Sequence, residues 1–184
     1  MHEVRFHGRG GQGAVTSAEL LAQAAIADGN SAQAFPSFGP ERRGAPVIAF
    51  ARVSKDVIRN RTAIAEPNVV IVLDPSLLRL VKVDQGLKDG GLLVINSSKS
   101  SDEVRKEFGF KARLVVVNAN HIAREEIGRV ITNTTMLGAM LAAEPMVEQE
   151  TIEAALEKRF GRLAPKNISA FRRAQREAVV SDAV

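Results

Sequence analysis

The residues best suited to chemistry stand near the N-terminus, where Gly8, Gly10 and Gly13 fall at the spacing G-x-G-x-x-G within Gly8-Arg9-Gly10-Gly11-Gln12-Gly13. This spacing serves a turn that needs positive φ, a backbone that must meet a phosphate with no side chain between, and a small residue where helix packs on strand. The chemistry is anion capture. The first-turn N–H groups of a following helix lack internal partners and sit at the positive end of its dipole, so they can hold a phosphate. Gly11 adds freedom, and Arg9 and Gln12 add polar arms. The same glycines could instead serve a tight turn that only permits packing, so the motif depends on its context. That context is present: Glu3 to His7 alternates as a strand and Ala14 to Ala27 reads as a helix.

The second group of candidates lies in Phe35-Pro36-Ser37-Phe38-Gly39-Pro40-Glu41-Arg42-Arg43-Gly44-Ala45-Pro46, with three prolines, two glycines and two phenylalanines in twelve residues. Such a stretch continues neither a helix nor a central strand. It is a shaped loop, either a proline-stiffened surface connection or a binding element, and exposed Phe with paired Arg favours binding. Arg42 and Arg43 are planar donors suited to phosphate. Ser37 joins them as a candidate contact, while Phe35, Phe38, Gly39, Glu41 and Gly44, with the distant Asn133, are candidates for an interface.

A dinucleotide site also wants an acidic residue at the end of the second strand, to bond a ribose hydroxyl. That strand is Ser31 to Phe35, Asp28 precedes it, and Glu41 follows a proline-bracketed loop. An ordinary NAD site is therefore not expected, although a phosphate seat is.

Composition narrows the chemistry further. With no Cys, the 184 residues offer no disulfide, no thiolate nucleophile and no Cys-ligated iron–sulfur or zinc site. His2, His7 and His121 are scattered, so no metal site is expected. No apolar run reaches a membrane span and the N-terminus enters a strand directly, which points to a cytoplasmic chain with no membrane partner. The net charge of +4 favours anionic partners, but Trp and Tyr are absent, so nucleic acid is not expected.

The elements that must position these residues follow in order. Val47 to Val53 alternates as a strand, and Val69 to Leu73, Leu92 to Ile95 and Leu114 to Val117 are continuous runs suited to strands covered on both faces. Asp74 ends one of them, as a cap for the short helix Ser76 to Val81 or as a ligand contact at the sheet's carboxyl edge. Ser101 or Asp102 can cap a helix through Phe108, and Asn120 to Gly128 is amphipathic. Asn133 precedes the small-residue helix Met136 to Ala143 as an N-cap or as a contact to a neighbouring chain. Thr151 caps Ile152 to Phe160, Gly161 ends it, and Asn167 to Val180 forms the last helix. The pattern predicts one α/β domain over residues 1–184: a Rossmann-like, open, mostly parallel sheet with helices on both faces, Val47 to Val53 antiparallel, and a helical C-terminus.

Four ordered segments resemble the gamma subunit of pyruvate and related 2-oxoacid:ferredoxin oxidoreductases: the glycine turn; Gln33 to Pro46; Glu66 to Pro75; and Asn133-Thr134-Thr135-Met136-Leu137-Gly138-Ala139. The resemblance covers nearly the whole chain. It implies oxidative decarboxylation of a 2-oxoacid, with the acyl group passed to coenzyme A and electrons to ferredoxin, in a complex with alpha, beta and ferredoxin-like delta subunits. Thiamine diphosphate, its Mg and the iron–sulfur clusters are then expected on those partner subunits, and no catalytic residue on this chain. The family's corresponding domain is associated with coenzyme A, whose phosphates suit the glycine turn and Arg42 or Arg43. Phe38, Arg42 and Ala45 lean toward the pyruvate branch. A different class, a free-standing nucleotide-binding Rossmann oxidoreductase, rests on the glycine turn alone.

Overall fold

The strands of this chain divide into those that are apolar on both faces and those that are not, and the division shapes the molecule. The computed structural model describes residues 1–37 and 44–184. Among them seven strands form one sheet: β1 (His2–Arg9), β2 (Ser31–Pro36), β3 (Pro46–Ser54), β4 (Val69–Val72), β5 (Leu92–Asn96), β6 (Arg113–Val117) and β7 (Val179–Ser181). Their order is β2-β3-β1-β4-β5-β6-β7. The helices are α1 (Ala14–Ala27), α2 (Ser101–Phe108), α3 (Ala119–Glu126), α4 (Asn133–Ala143), α5 (Gln149–Phe160) and α6 (Ala164–Glu177), with a 3₁₀ turn at Pro75–Arg79.

The runs at β4, β5 and β6 behave as their composition demands. Val69 and Ile71 face one core cluster, with α1, α4, α5 and α6. Val70 and Val72 face the other, with the 3₁₀ turn and α2. A strand between two such layers must be apolar at every position, which is why these read as runs and not alternations. The expected antiparallel strand is β3, which pairs with both β1 and β2. A second one, β7, lies where the sequence pattern extends the last helix to Val180. That helix stops at Glu177, Ala178 turns extended at ψ 127°, and Val180 pairs with Val115 of β6. Only tertiary pairing makes so short a strand.

Two helix starts also differ from expectation. Ser100, not Ser101 or Asp102, caps α2 in a reciprocal box with Glu103. α5 begins at Gln149 without a side-chain cap, and Thr151 Oγ1 donates to the carbonyl of Glu148. Gly161 ends α5 as expected, at φ 52°.

On the β1–β2–β3 half, the face opposite α1 carries polar side chains that are nevertheless buried: Arg5 is 8%, His7 5% and Arg52 1% exposed. Irregular segments lie over them. Arg5 Nη2 donates to the carbonyls of Val83 (2.8 Å) and Gln85 (2.6 Å). Arg52 donates to Asn60 (3.3 Å) and Thr62 (2.9 Å), pairs with Glu3 at 2.9 Å, and lies over the Phe35 ring. Irregular backbone leaves carbonyls without ladder partners, and a guanidinium carries enough donors to satisfy several at once.

Arg5 Nε also donates to His7 Nε2 at 3.1 Å, which fixes His7 as neutral with its proton on Nδ1. Burial first, and the Arg5 charge second, push His7 down to about 4 from 6.5. The unfolded chain binds that proton more readily than the folded one, so His7 contributes stability above pH 6.5 that is lost as pH falls toward 4. The expected loss is about 3 kcal/mol. Denaturant titrations from pH 7 to 4 should show it, and His7→Gln, which can still accept from Arg5 but does not titrate, should flatten the profile. Equal slopes in both proteins would detach the effect from His7.

Candidate functional site

The chain leaves β1 toward β2 on one side of the sheet, and later builds β4, β5 and β6 on the other. The order therefore reverses between β1 and β4, and the crevice outside their carboxyl ends is where open α/β sheets bind ligands. β1 delivers the glycine turn to this point, and β4 delivers Asp74.

The turn is built by glycines, though their roles differ from the simple assignment. A Cβ on Gly8 would lie 3.3 Å from Cβ of Ala14, so Gly8 lets α1 close onto the strand. Positive φ falls on Gly11 (91°) and Gly13 (85°), not on Gly10. Gly10 N donates to the carbonyl of Ala45 at 3.0 Å, tying the turn to the start of β3. Gly13 is the N-cap of α1, and a Cβ there would lie 2.9 Å from Nδ2 and 3.0 Å from Cβ of Asn133. Ser17 N is the donor to the Gly13 carbonyl, so Ala14, Val15 and Thr16 precede the helical hydrogen bonds. These three residues form one wall of a cleft of about 290 Å³, with Arg9, Gly10, Gly11 and Val47 opposite. α1 has no acidic residue in its first turn to offset its dipole.

Asp74 holds the turn in shape. Its Oδ1 accepts from Ser76 N (2.9 Å) and Ser76 Oγ (2.6 Å), capping the 3₁₀ turn, while Oδ2 accepts from Gln12 Nε2 (2.7 Å). Gln12 Oε1 in turn accepts from Arg9 N at 2.7 Å. Burial raises the Asp74 carboxyl, but the bonds from Ser76 and Gln12 and the Arg9 charge outweigh it and hold it below the usual carboxylate range. Of the two sequence readings of Asp74, the structure shows the cap, and it places the residue at the carboxyl edge of β4.

The structure brings together Gly8, Arg9, Gly10, Gly11, Gln12, Gly13 and Asn133. Gln12 and Arg9 are engaged within the chain: the Arg9 guanidinium reaches Asp74 Oδ2 (3.2 Å), Ser76 Oγ (2.8 Å) and the Gly44 carbonyl (3.0 Å). Asn133 is not an N-cap; Thr132 holds that place, and Asn133 is 2% exposed, wedged against Gly13 inside the chain. Phe35 packs on Phe50 with ring centroids 5.2 Å apart and is partly covered, whereas Ser37 and Gly44 are exposed. Ser37 N donates to the Ile48 carbonyl at 2.8 Å, which ties one end of the loop to β3, and the Gly44 carbonyl accepts from Arg9, which ties the other end to the glycine turn. Phe38, Gly39, Glu41, Arg42 and Arg43 lie outside the described residues. Sequence reasoning missed Ser76 and Ser17; the only signal for Ser76 was its place two residues after Asp74, the spacing of a side-chain turn.

Fold and turn together define a Rossmann-like α/β chain with a glycine turn at its switch point. A model of the pyruvate ferredoxin/flavodoxin oxidoreductase family matches residues 3–177. The pyruvate/ketoisovalerate oxidoreductases common subunit gamma of Pyrococcus furiosus is 52% identical over 182 residues, covering 98% of each chain. Among solved structures, the pyruvate oxidoreductase subunit PORC of Thermotoga maritima superposes with TM-score 0.87 at 40% identity over 98% of each chain. A keto/oxoacid ferredoxin oxidoreductase gamma subunit from Geobacter sulfurreducens gives TM-score 0.77 at 29% identity, covering 96% of this chain and 98% of that one. The chain belongs to the pyruvate ferredoxin/flavodoxin oxidoreductase family, among its gamma-type subunits.

Proposed function

We infer that the chain works as the gamma subunit of a 2-oxoacid:ferredoxin oxidoreductase, with pyruvate as the substrate, and that its own contribution is to bind coenzyme A and to assemble the complex. The observation that carries this is the cleft at the first turn of α1, placed at the switch point of the sheet and lined by backbone of Gly10, Gly11 and Gly13. A phosphate of coenzyme A suits such a seat. Arg42 and Arg43 are assigned to the same ligand because they immediately precede Gly44 and Ala45, whose carbonyls accept from Arg9 and Gly10 of the turn. Phe35, Phe38, Gly39, Glu41 and Gly44 are assigned to the contact with partner subunits, with Asn133 supporting the turn from within.

A chain without cysteine does not fit an iron–sulfur cluster, so the clusters are assigned to the alpha, beta and delta partners; thiamine diphosphate and its Mg are assigned there on the family resemblance, and ferredoxin takes the electrons. Among the described residues no helix is long and apolar enough to cross a membrane, and the proposed setting is the cytoplasm. The free-standing oxidoreductase is not favoured, since the family match spans nearly the whole chain.

The test is kinetic. Arg42→Ala and Arg43→Ala, each in the assembled complex, should raise the Michaelis constant for coenzyme A about tenfold and leave that for the 2-oxoacid near its original value, as loss of a charge-assisted bond to phosphate predicts. An unchanged coenzyme A constant in both variants, with assembly intact, would remove these residues from the site.

A further inference from the structure

The connections of the sheet part company a second time, away from the glycine turn. β5 leads into α2, whose Val104 packs in the core on one face, whereas β6 leads into α3, whose Ile122 packs in the core on the other. Diverging connections open a crevice at the strands' carboxyl ends. Here it measures about 570 Å³ and lies outside β4, β5 and β6. That is ample for a small-molecule ligand.

The chemistry of its walls is one-sided. Asn96 closes the floor: its Nδ2 donates to the Leu73 carbonyl (2.8 Å) and to Asn120 Oδ1 (2.9 Å), and its Oδ1 accepts from Ala119 N (3.1 Å). Asn118 Oδ1 caps α3 by accepting from His121 N at 3.2 Å. Both Asn118 and Asn120 thus spend their acceptor inside the protein and keep an amide NH₂ to offer the crevice. Arg79 and Lys99 stand at the mouth, and each donates to a different oxygen of Glu107, whose carboxyl their bonds hold below the usual range. The carboxylate of Glu107 therefore occupies the place between two cations that an incoming anion would take. Leu78, Leu80 and Phe108 supply an apolar side, and Leu80 is 61% exposed at the lip. Donors and cations beside an apolar wall suit a ligand rich in acceptors, anionic at one end and flat and apolar at the other.

We propose that this crevice is a second anion site, which takes a nucleoside phosphate: the phosphate enters between Arg79 and Lys99 in place of the Glu107 carboxylate, and the base lies against Leu80 and Phe108. Glu107 is then a built-in competitor. The ligand is either a free nucleotide or the adenosine end of coenzyme A, which share this chemistry. The site uses none of the glycine-turn residues and does not depend on their role.

Calorimetry on the full chain at low salt, with AMP, adenosine 3′,5′-bisphosphate and inorganic phosphate as probes, tests it. AMP should bind at least about tenfold more tightly than inorganic phosphate, since the base adds apolar contact. The double variant Arg79→Ala/Lys99→Ala should weaken AMP about tenfold or more, and Glu107→Gln should tighten it severalfold by releasing both cations. All three side chains are at the surface, so the variants should fold. Coenzyme A that displaces AMP identifies the adenosine end as the ligand, and coenzyme A that binds alongside AMP identifies a separate nucleotide. No AMP binding at millimolar concentration even in Glu107→Gln, or binding that the double variant leaves unchanged, overturns the proposal.

Discussion

Gly13→Val is expected to lower the stability of the chain by about 4 kcal/mol and to abolish its incorporation into an active complex. Two independent costs add at this position. The residue sits at φ 85°, in a left-handed conformation where a β-branched side chain is strained by about 1–3 kcal/mol. The added carbons also meet Asn133, with Nδ2, Cβ and Cγ at 2.9, 3.0 and 3.1 Å from the first of them. Asn133 is buried and begins α4, so it has no room to retreat without moving that helix. Gly11 provides the control: its φ of 91° is just as strained for other residues, but a Cβ there meets nothing within 4 Å. Gly11→Ala should therefore cost only about 1 kcal/mol. Chemical denaturation of the three proteins checks the ranking, and similar values for Gly13→Val and Gly11→Ala would show that Asn133 is no barrier.

How much of this was legible beforehand depends on how local the cause was. The boundaries of α1 and the turn before it came directly from sequence, because glycines, a strand pattern and a helix pattern lie side by side within 30 residues. The interior strands were legible for a similar reason: burial on both faces leaves a run of apolar residues. Arg5 and Arg52 were not. In sequence they look like the solvated positions of alternating strands, yet each is buried because its guanidinium holds backbone carbonyls of a distant or irregular segment, 78 residues away in the case of Arg5 and Val83. Nor could sequence reveal that Asn133 stands behind Gly13, a contact between residues 120 positions apart that depends on α4 crossing beside α1.

The two clefts of the carboxyl edge are lined by different segments of the chain, but Ser76 joins them in space. It accepts from Arg9 at the glycine turn and lines the crevice at β4, β5 and β6. A change at Asp74, which holds Ser76 through two bonds, would loosen both at once, whereas Glu107 touches only the second.

Gly138→Val should be at least as damaging as Gly13→Val, though Gly138 lines neither cleft of the carboxyl edge. Gly138 sits in the middle of α4 where that helix crosses α6, and a Cβ there would lie 2.3 Å from the carbonyl oxygen of Phe171 and 3.0 Å from its carbon. The obstacle is backbone, which cannot rotate aside as a side chain can. Helix propensity argues in the opposite direction, since glycine in a helix interior costs about 1 kcal/mol relative to alanine. Overpacking at a site with no slack costs about 1–3 kcal/mol and occasionally more, so the clash wins. Gly138→Ala should be destabilised by about 2 kcal/mol net, and Gly138→Val, with two more methyl groups between the same helices, by about 4 kcal/mol. Because Phe171 is fully buried in the core beneath this crossing, separating the helices would also expose it. Thermal unfolding of both variants decides the matter: a Gly138→Ala protein as stable as the parent would mean that α6 can move away from α4 at no cost, and that the close crossing is not what holds the helical layer to the sheet.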